Sequence, residues 1–235
     1  MDGNEIETVL IAGATGDTGQ AILDIVAPRV ETVRAVTRSA DNVSQLEMAG
    51  VDEVFVEDLL DPTDLDTAVE GVDAVLSAVG TAPRAVLSGP PYVDGEGAQA
   101  LLEAAVRADV ETFVMESALG VGEGTTSPLG TLFNLMIRPI QKAKAETEAA
   151  LRTAPIRHTI FRPGVLTNGP RTDVITVAEP GAKLWGFVSR RDVARLMVAA
   201  PVTDKATNRT LEVTATPRLA SRGLNIEWEL PKKRD

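Results

Sequence analysis

Three glycines spaced three residues apart carry the clearest chemistry in this 235-residue chain. They lie in Ile11-Ala12-Gly13-Ala14-Thr15-Gly16-Asp17-Thr18-Gly19-Gln20, directly after a short apolar run and before a stretch of helical spacing. Gly13 lets the chain turn off a strand, Gly16 lets the backbone approach a pyrophosphate, and Gly19 lets the helix pack tightly. The helix start adds unpaired N–H groups and partial positive charge, so Gly13, Thr15, Gly16, Asp17, Thr18 and Gly19 form a candidate dinucleotide cradle. Arg38, in Val36-Thr37-Arg38-Ser39, follows a second apolar run at the place where a carboxylate would hold the ribose 2′-hydroxyl of NAD. A guanidinium suits a 2′-phosphate instead, and no acid occurs before Asp41. The expected cofactor is therefore NADP, with NAD as the alternative.

Such groups need a scaffold that gathers strand ends, and the remaining sequence has its rhythm. Strands are expected at 8–12, 33–37, 54–56, 74–79, 112–115 and 159–161. Helices are expected at 16–26, 42–50, from Asp61-Pro62 onward, at 97–108, and through Lys144 to Leu151. Asp61 would cap the third helix and Pro62 fill its first turn. Alternation of this kind implies βαβ units and a right-handed crossover. The expected fold class is α/β, a doubly wound parallel-sheet Rossmann fold in a single domain over 1–235. Its core spans about 7–162, and a small C-terminal substrate or lid region follows over about 163–235. A loop is expected over 118–130, a further helix at 191–198 and a β-like run at 210–214. Residues 218–235 show no periodicity and are expected to be a tail or edge element.

Composition excludes several classes. The chain has no cysteine, so disulfides, thiolate metal sites and a cysteine nucleophile are ruled out. No apolar stretch reaches the length of a membrane span, and the acidic opening Met1-Asp2-Gly3-Asn4-Glu5 differs from a signal peptide. The net charge of −11 argues against nucleic acid or an anionic membrane as partner. A cytoplasmic location, a small-molecule substrate and a monomer or homodimer are the expectation. No metal-ligand spacing is present. High carboxylate content with six lysines fits either adaptation to high salt or an ordinary acidic enzyme.

The loop G-A-T-G-D-T-G resembles that of the atypical and extended short-chain dehydrogenase/reductases, the group with NmrA-like and biliverdin-reductase-B-like NAD(P)-binding proteins. The likeness covers about residues 7 to 200. It extends to Val36-Thr37-Arg38-Ser39, Glu57-Asp58-Leu59, Ser77-Ala78-Val79-Gly80 and Thr159-Ile160-Phe161-Arg162-Pro163-Gly164-Val165-Leu166. The resemblance implies that Asp58 and Leu59 flank the adenine. It also implies that Ala78, Val79 and Gly80 run beside the nicotinamide ribose, and that Pro163, Gly164 and Val165 border the nicotinamide. Reducing members use serine, tyrosine and lysine, the last two as Y-x-x-x-K. Ser117 matches the serine and Lys144 the lysine, which would also bind the nicotinamide ribose. The residue four before Lys144 is Ile140, however, and the one tyrosine of the chain is Tyr92.

Three functions stay open on this reading. One is a reductase acting on a flavin, quinone or carbonyl, with its proton from solvent or substrate. The second is a non-catalytic NmrA-like redox sensor that binds NADP and signals to a partner. The third is a sugar-nucleotide epimerase or dehydratase, which the missing tyrosine and short C-terminal portion disfavour. Among other residues, His158 cannot make a metal site with its neighbours. Trp185 and Phe187 are expected in a packed hairpin or edge cover. Asp192 is expected to cap or brace a helix start, and Leu132, Phe133 and Met136 to contact substrate or a partner chain.

Overall fold

The computed structural model describes residues 6–81, 89–121, 128–182 and 184–232, with the backbone alone over 128–137. β1 (Thr8–Ala12) is buried beyond its first residue. Its side chains alternate, with Val9 and Ile11 in one apolar cluster and Leu10 and Ala12 in another. A strand covered on both faces must be apolar at every position, which is why TVLIA lacks the alternation of a half-exposed strand.

The chain continues through α1 (Asp17–Val26), β2 (Thr32–Thr37), α2 (Val43–Met48), β3 (Glu53–Val56), α3 (Leu65–Val69) and β4 (Ala74–Ser77). A single π turn over Val93–Gly97 then leads into α4 (Ala98–Arg107), followed by β5 (Thr112–Glu116), α5 (Pro128–Thr153) and β6 (Arg157–Pro163). The remainder holds β7 (Val165–Thr167), β8 (Thr176–Ala178), β9 (Phe187–Ser189), α6 (Arg190–Ala199) and β10 (Arg209–Thr214).

The main sheet has the order β3-β2-β1-β4-β5-β6-β10-β8 and is parallel except for β8. Helices cover both faces: α1 and α6 pack Ile22, Leu23, Leu196 and Met197 on one side. α3, α4 and α5 pack Val69, Leu101 and Leu151 on the other. The expected α/β doubly wound Rossmann fold is therefore present. Strand order reverses between β1 and β4, where Ala12 lies opposite Ser77, and this switch point opens a crevice beyond the carboxyl ends of the strands.

Several local expectations are corrected. The third helix starts at Leu65, not at Asp61-Pro62, because the Asp61 N–H closes a turn onto the Asp58 carbonyl. Asp64 is the cap instead and accepts from the Thr67 N–H and hydroxyl. β4 ends at Ser77, two residues early, where Gly13 crowds the Ala78 backbone. The loop expected over 118–130 gives way by Pro128 to α5, with proline in the first turn, where its missing N–H costs nothing. Residues 122–127 of that loop lie outside the described residues, as do the side chains of Leu132, Phe133 and Met136.

The segment expected as a tail or edge element packs back on the sheet. A 3₁₀ helix spans Pro217–Arg222, the Leu224 N–H donates to the Val177 carbonyl, and the Trp228 ring lies 5.8 Å from that of Phe161. Trp185 and Phe187 are not a packed hairpin: β9 pairs with β7 in parallel, and the two rings are 74% and 55% exposed. Asp192 does brace its region, accepting from Thr172 and Asp173, while Ser189 caps α6. Among the described residues, no helix is long and apolar enough to cross a membrane.

Candidate functional site

At the switch point Gly13 has φ +85°, and a Cβ built on it would lie 2.5 Å from the Ala78 carbonyl oxygen. Only glycine lets the β1 turn press onto the strand beside it. A Cβ on Gly19 would meet the Gly13 carbonyl oxygen at 2.1 Å, so the third glycine packs α1 against its own loop rather than against the sheet. Gly16 stands at the helix N-cap with no side-chain hydrogen bond, so no side chain caps the first-turn N–H groups that an anion could take.

Beside this cradle lies a cavity of about 430 Å³. Of the sequence-predicted site residues, Gly13, Thr15, Arg38, Asp58, Leu59, Val79 and Gly80 line it together. Gly16, Asp17, Thr18 and Gly19 form the adjoining helix start, and Ala78 backs Gly13. Arg38 is exposed and makes no hydrogen bond or ion pair among the described residues. Asp58 Oδ1 accepts from the Leu60 N–H, and Leu59 is buried against Gly97. Its neighbour Glu57 is held below the usual carboxylate range by the Thr63 N–H and hydroxyl.

Sequence reasoning passed over Asn42 and Tyr92, which also line the cavity. The donor set fits the adenosine and phosphate end of a nicotinamide dinucleotide: a glycine-bounded cradle, an uncapped helix start, an unpaired guanidinium and an apolar wall. The cavity volume is within the usual range for such ligands.

The β5 side of the crevice is organised by α5. Lys144 Nζ lies 2.8 Å from Asp94 Oδ1 and donates to the Glu116 carbonyl oxygen at 3.2 Å. One turn later, Glu148 accepts from the Ser117 hydroxyl and, at both oxygens, from Arg162. Arg152 completes the Glu148 cluster. Two successive turns of α5 thus grip two successive residues at the end of β5. Ser117 and Lys144 are neighbours along this grip, but the Ser117 hydroxyl turns to Glu148 and the ammonium to Asp94. Pro163, Gly164 and Val165 stand at the end of β6, where a Cβ on Gly164 would lie 2.3 Å from the Gly186 carbonyl oxygen.

Glu116, Asp94 and Glu148 are charged residues that sequence reasoning missed here. The Glu116 carboxyl is buried and accepts from the Thr18 hydroxyl in the first turn of α1. Burial pushes its pKa up to about 7, against the opposing pull of Lys144, Thr18 and Arg190. A glutamate closing an otherwise apolar strand, Thr112-Phe113-Val114-Met115-Glu116, was the available signal. Asp94 gave none, since its partner lies fifty residues further along the chain.

Residues 13–222 match the NAD(P)H-binding family. The chain belongs to that family. Curated relatives of this NAD(P)H-binding protein include an uncharacterized sugar epimerase, YhfK, of Bacillus subtilis, 28% identical over 88% of this chain and 93% of the relative. Sanguinarine reductase of Eschscholzia californica is 27% identical over 92% of each chain. Among solved structures, ChuY, an anaerobillin reductase from Escherichia coli O157:H7, superposes with a TM-score of 0.74 at 22% identity. That alignment covers 88% of this chain and 97% of the other, and the likeness is one of fold. The family match supports a nicotinamide cofactor.

Proposed function

We propose that this NAD(P)H-binding protein is an NADP(H)-dependent reductase of a small-molecule acceptor. The observation that carries the cofactor choice is Arg38, exposed on the cavity wall and unpaired among the described residues, with no carboxylate in its place at the end of β2. In this reading the first-turn N–H groups of α1 bind the pyrophosphate, Arg38 and Asn42 face the 2′-phosphate, and Leu59 packs on the adenine with Asp58 at its edge. Lys144, fixed by Asp94, faces the nicotinamide ribose, and Gly80 leaves room for the ring. Pro163, Gly164 and Val165 border the ring from β6. The bound dinucleotide would supply a hydride to the acceptor. Relatives named as reductases support this class, and the acceptor is of the flavin, quinone or carbonyl type.

The test is isothermal titration with NADPH and NADH, followed by NADPH oxidation with flavin, quinone and carbonyl acceptors. NADPH binding tighter than NADH, with turnover of one acceptor class, is the expected result. A second reading is a non-catalytic NADP sensor. Its support is that Ile140 replaces the catalytic tyrosine of the reducing short-chain enzymes and that Glu148 engages the Ser117 hydroxyl. Tight NADP(H) binding with no turnover of any acceptor would establish it.

A further inference from the structure

The amino-terminal end of the sheet carries a second, open hollow of about 660 Å³. Its polar lining is Arg152 from the last turn of α5, Arg157 and His158 from the start of β6, and Asn208 from the turn before β10. Among the described residues no carboxylate lines it, in a chain whose net charge is −11. The seven residues of β6 separate it from Pro163 at the crevice end, a span of about 20 Å at roughly 3.3 Å per residue.

Local hydrogen bonding holds these four residues together and leaves donors over. Asn208 stands in the left-handed region, with φ +56°. Its N–H donates to the His158 carbonyl, and its Oδ1 accepts from the His158 N–H. This double clasp fixes the carboxamide beside the ring, and Nδ2 meets no acceptor among the described residues. Arg152 donates from Nε to the Thr210 hydroxyl and from Nη2 to Glu148. Arg157 donates from Nη2 to Glu111. Arg152 Nη1, Arg157 Nε and Arg157 Nη1 have no partner among the described residues.

His158 is the buried member, 7% exposed, and its Nδ1 lies 3.4 Å from the Ile156 carbonyl oxygen. Nε2 is left without a partner among the described residues. Burial holds the ring below the usual histidine range and the Arg152 charge adds to this, against the pull of the Ile156 carbonyl. An anion in the hollow reverses that balance, because it favours the charged ring, in which both nitrogens donate.

We propose that this hollow is a second binding site, for a small molecule bearing a phosphate-class oxyanion. Partly used guanidinium groups supply charged donors to the oxygens, and Asn208 Nδ2 and His158 Nε2 supply two more. Pro155 and Ile156 add an apolar wall against which the rest of a phosphate ester can lie. Free phosphate and an ester share the oxyanion chemistry, and the wall favours the ester. No residue of the cofactor cavity takes part, so the proposal stands apart from the NADP(H) reading.

His158 is the one histidine of the chain, so its ring gives a single set of NMR signals. The experiment titrates the full chain with inorganic phosphate and with phenyl phosphate at pH 7, at an ionic strength held constant with chloride. The expected result is a saturable shift of the His158 signals toward the protonated ring with each ligand, since an anion that prefers the charged ring must raise its proton affinity. Arg157→Gln, at a half-exposed position, should weaken binding about tenfold, the worth of one charge-assisted contact. Tighter binding of phenyl phosphate supports the site as one for an ester, and equal binding supports it as one for the free ion. A wild-type signal that does not saturate with either ligand overturns the proposal, whether or not the variant folds. Unchanged affinity in Arg157→Gln overturns it as well.

Discussion

The Lys144 ammonium lies 2.8 Å from Asp94 Oδ1 with both side chains buried, and this pair joins α5 to the π turn ahead of α4. Asp94 also accepts from the Thr81 N–H, so a single carboxylate ties the segment after β4 to the helix across the crevice. Asp94→Ala would strand a buried cation and remove an acceptor. The expected loss is about 3–5 kcal/mol of stability, the usual cost of breaking a buried pair on one side. Urea unfolding measures it, and a loss below about 1 kcal/mol would mean that water solvates Lys144 freely.

The glycines separate by geometry. Gly19→Ala forces a Cβ against the Gly13 carbonyl oxygen at 2.1 Å, so the loop or helix must shift. Gly16→Ala meets that same oxygen at 3.3 Å, which a small adjustment relieves. The first variant is expected to lose both cofactor binding and at least about 1–3 kcal/mol of stability, the cost of overpacking. The second should fold nearly as well as wild type and bind more weakly. Equal melting temperatures for the two would contradict this account of the loop.

Arg38→Ala removes a charge that has no ion-pair partner among the described residues. NADPH affinity is expected to fall about tenfold to hundredfold, the worth of a charge-assisted contact, while NADH affinity changes little. Parallel titrations of both nucleotides decide it, and an equal loss for both would assign Arg38 to a general electrostatic role.

Much of this architecture was legible because it follows from local rules. Val9 to Ala12 is apolar throughout since both faces are covered, and Gly13 marks a turn that must press on the backbone after a neighbouring strand. The start of the third helix was misread at Asp61-Pro62, because the Asp61 N–H closes a turn onto Asp58 and Asp64 caps the helix three residues later. The docking of Trp228 against Phe161 left no periodic trace, because an extended cover has no repeat to detect. The site divided in the same way. Its phosphate side is one contiguous motif, whereas the Asp94–Lys144 pair and the Glu116–Thr18 contact join residues far apart in sequence, and a single chain carries no sign of such pairing.

Glu116 also shapes stability against pH. Its pKa is raised from an ordinary 4.5 to about 7 by burial, so the unfolded chain loses this proton first as pH rises. Stability from this group is therefore full below about pH 4.5, declines between 4.5 and 7, and is constant above that. Glu116→Gln should remove the decline, gaining up to about 3 kcal/mol on the wild type at pH 8 relative to pH 4.5. Denaturation curves of both proteins across that range provide the check, and parallel profiles would show that the carboxyl is not buried in the ionised protein.

The most direct test of the central claim is thermal unfolding of the purified chain with NADPH, with NADH and with neither. A ligand bound to the native state must stabilise it, by about 2.7 kcal/mol at a hundred times its dissociation constant. The account predicts a rise in melting temperature that is larger for NADPH than for NADH at equal concentration. No shift with either nucleotide would contradict it.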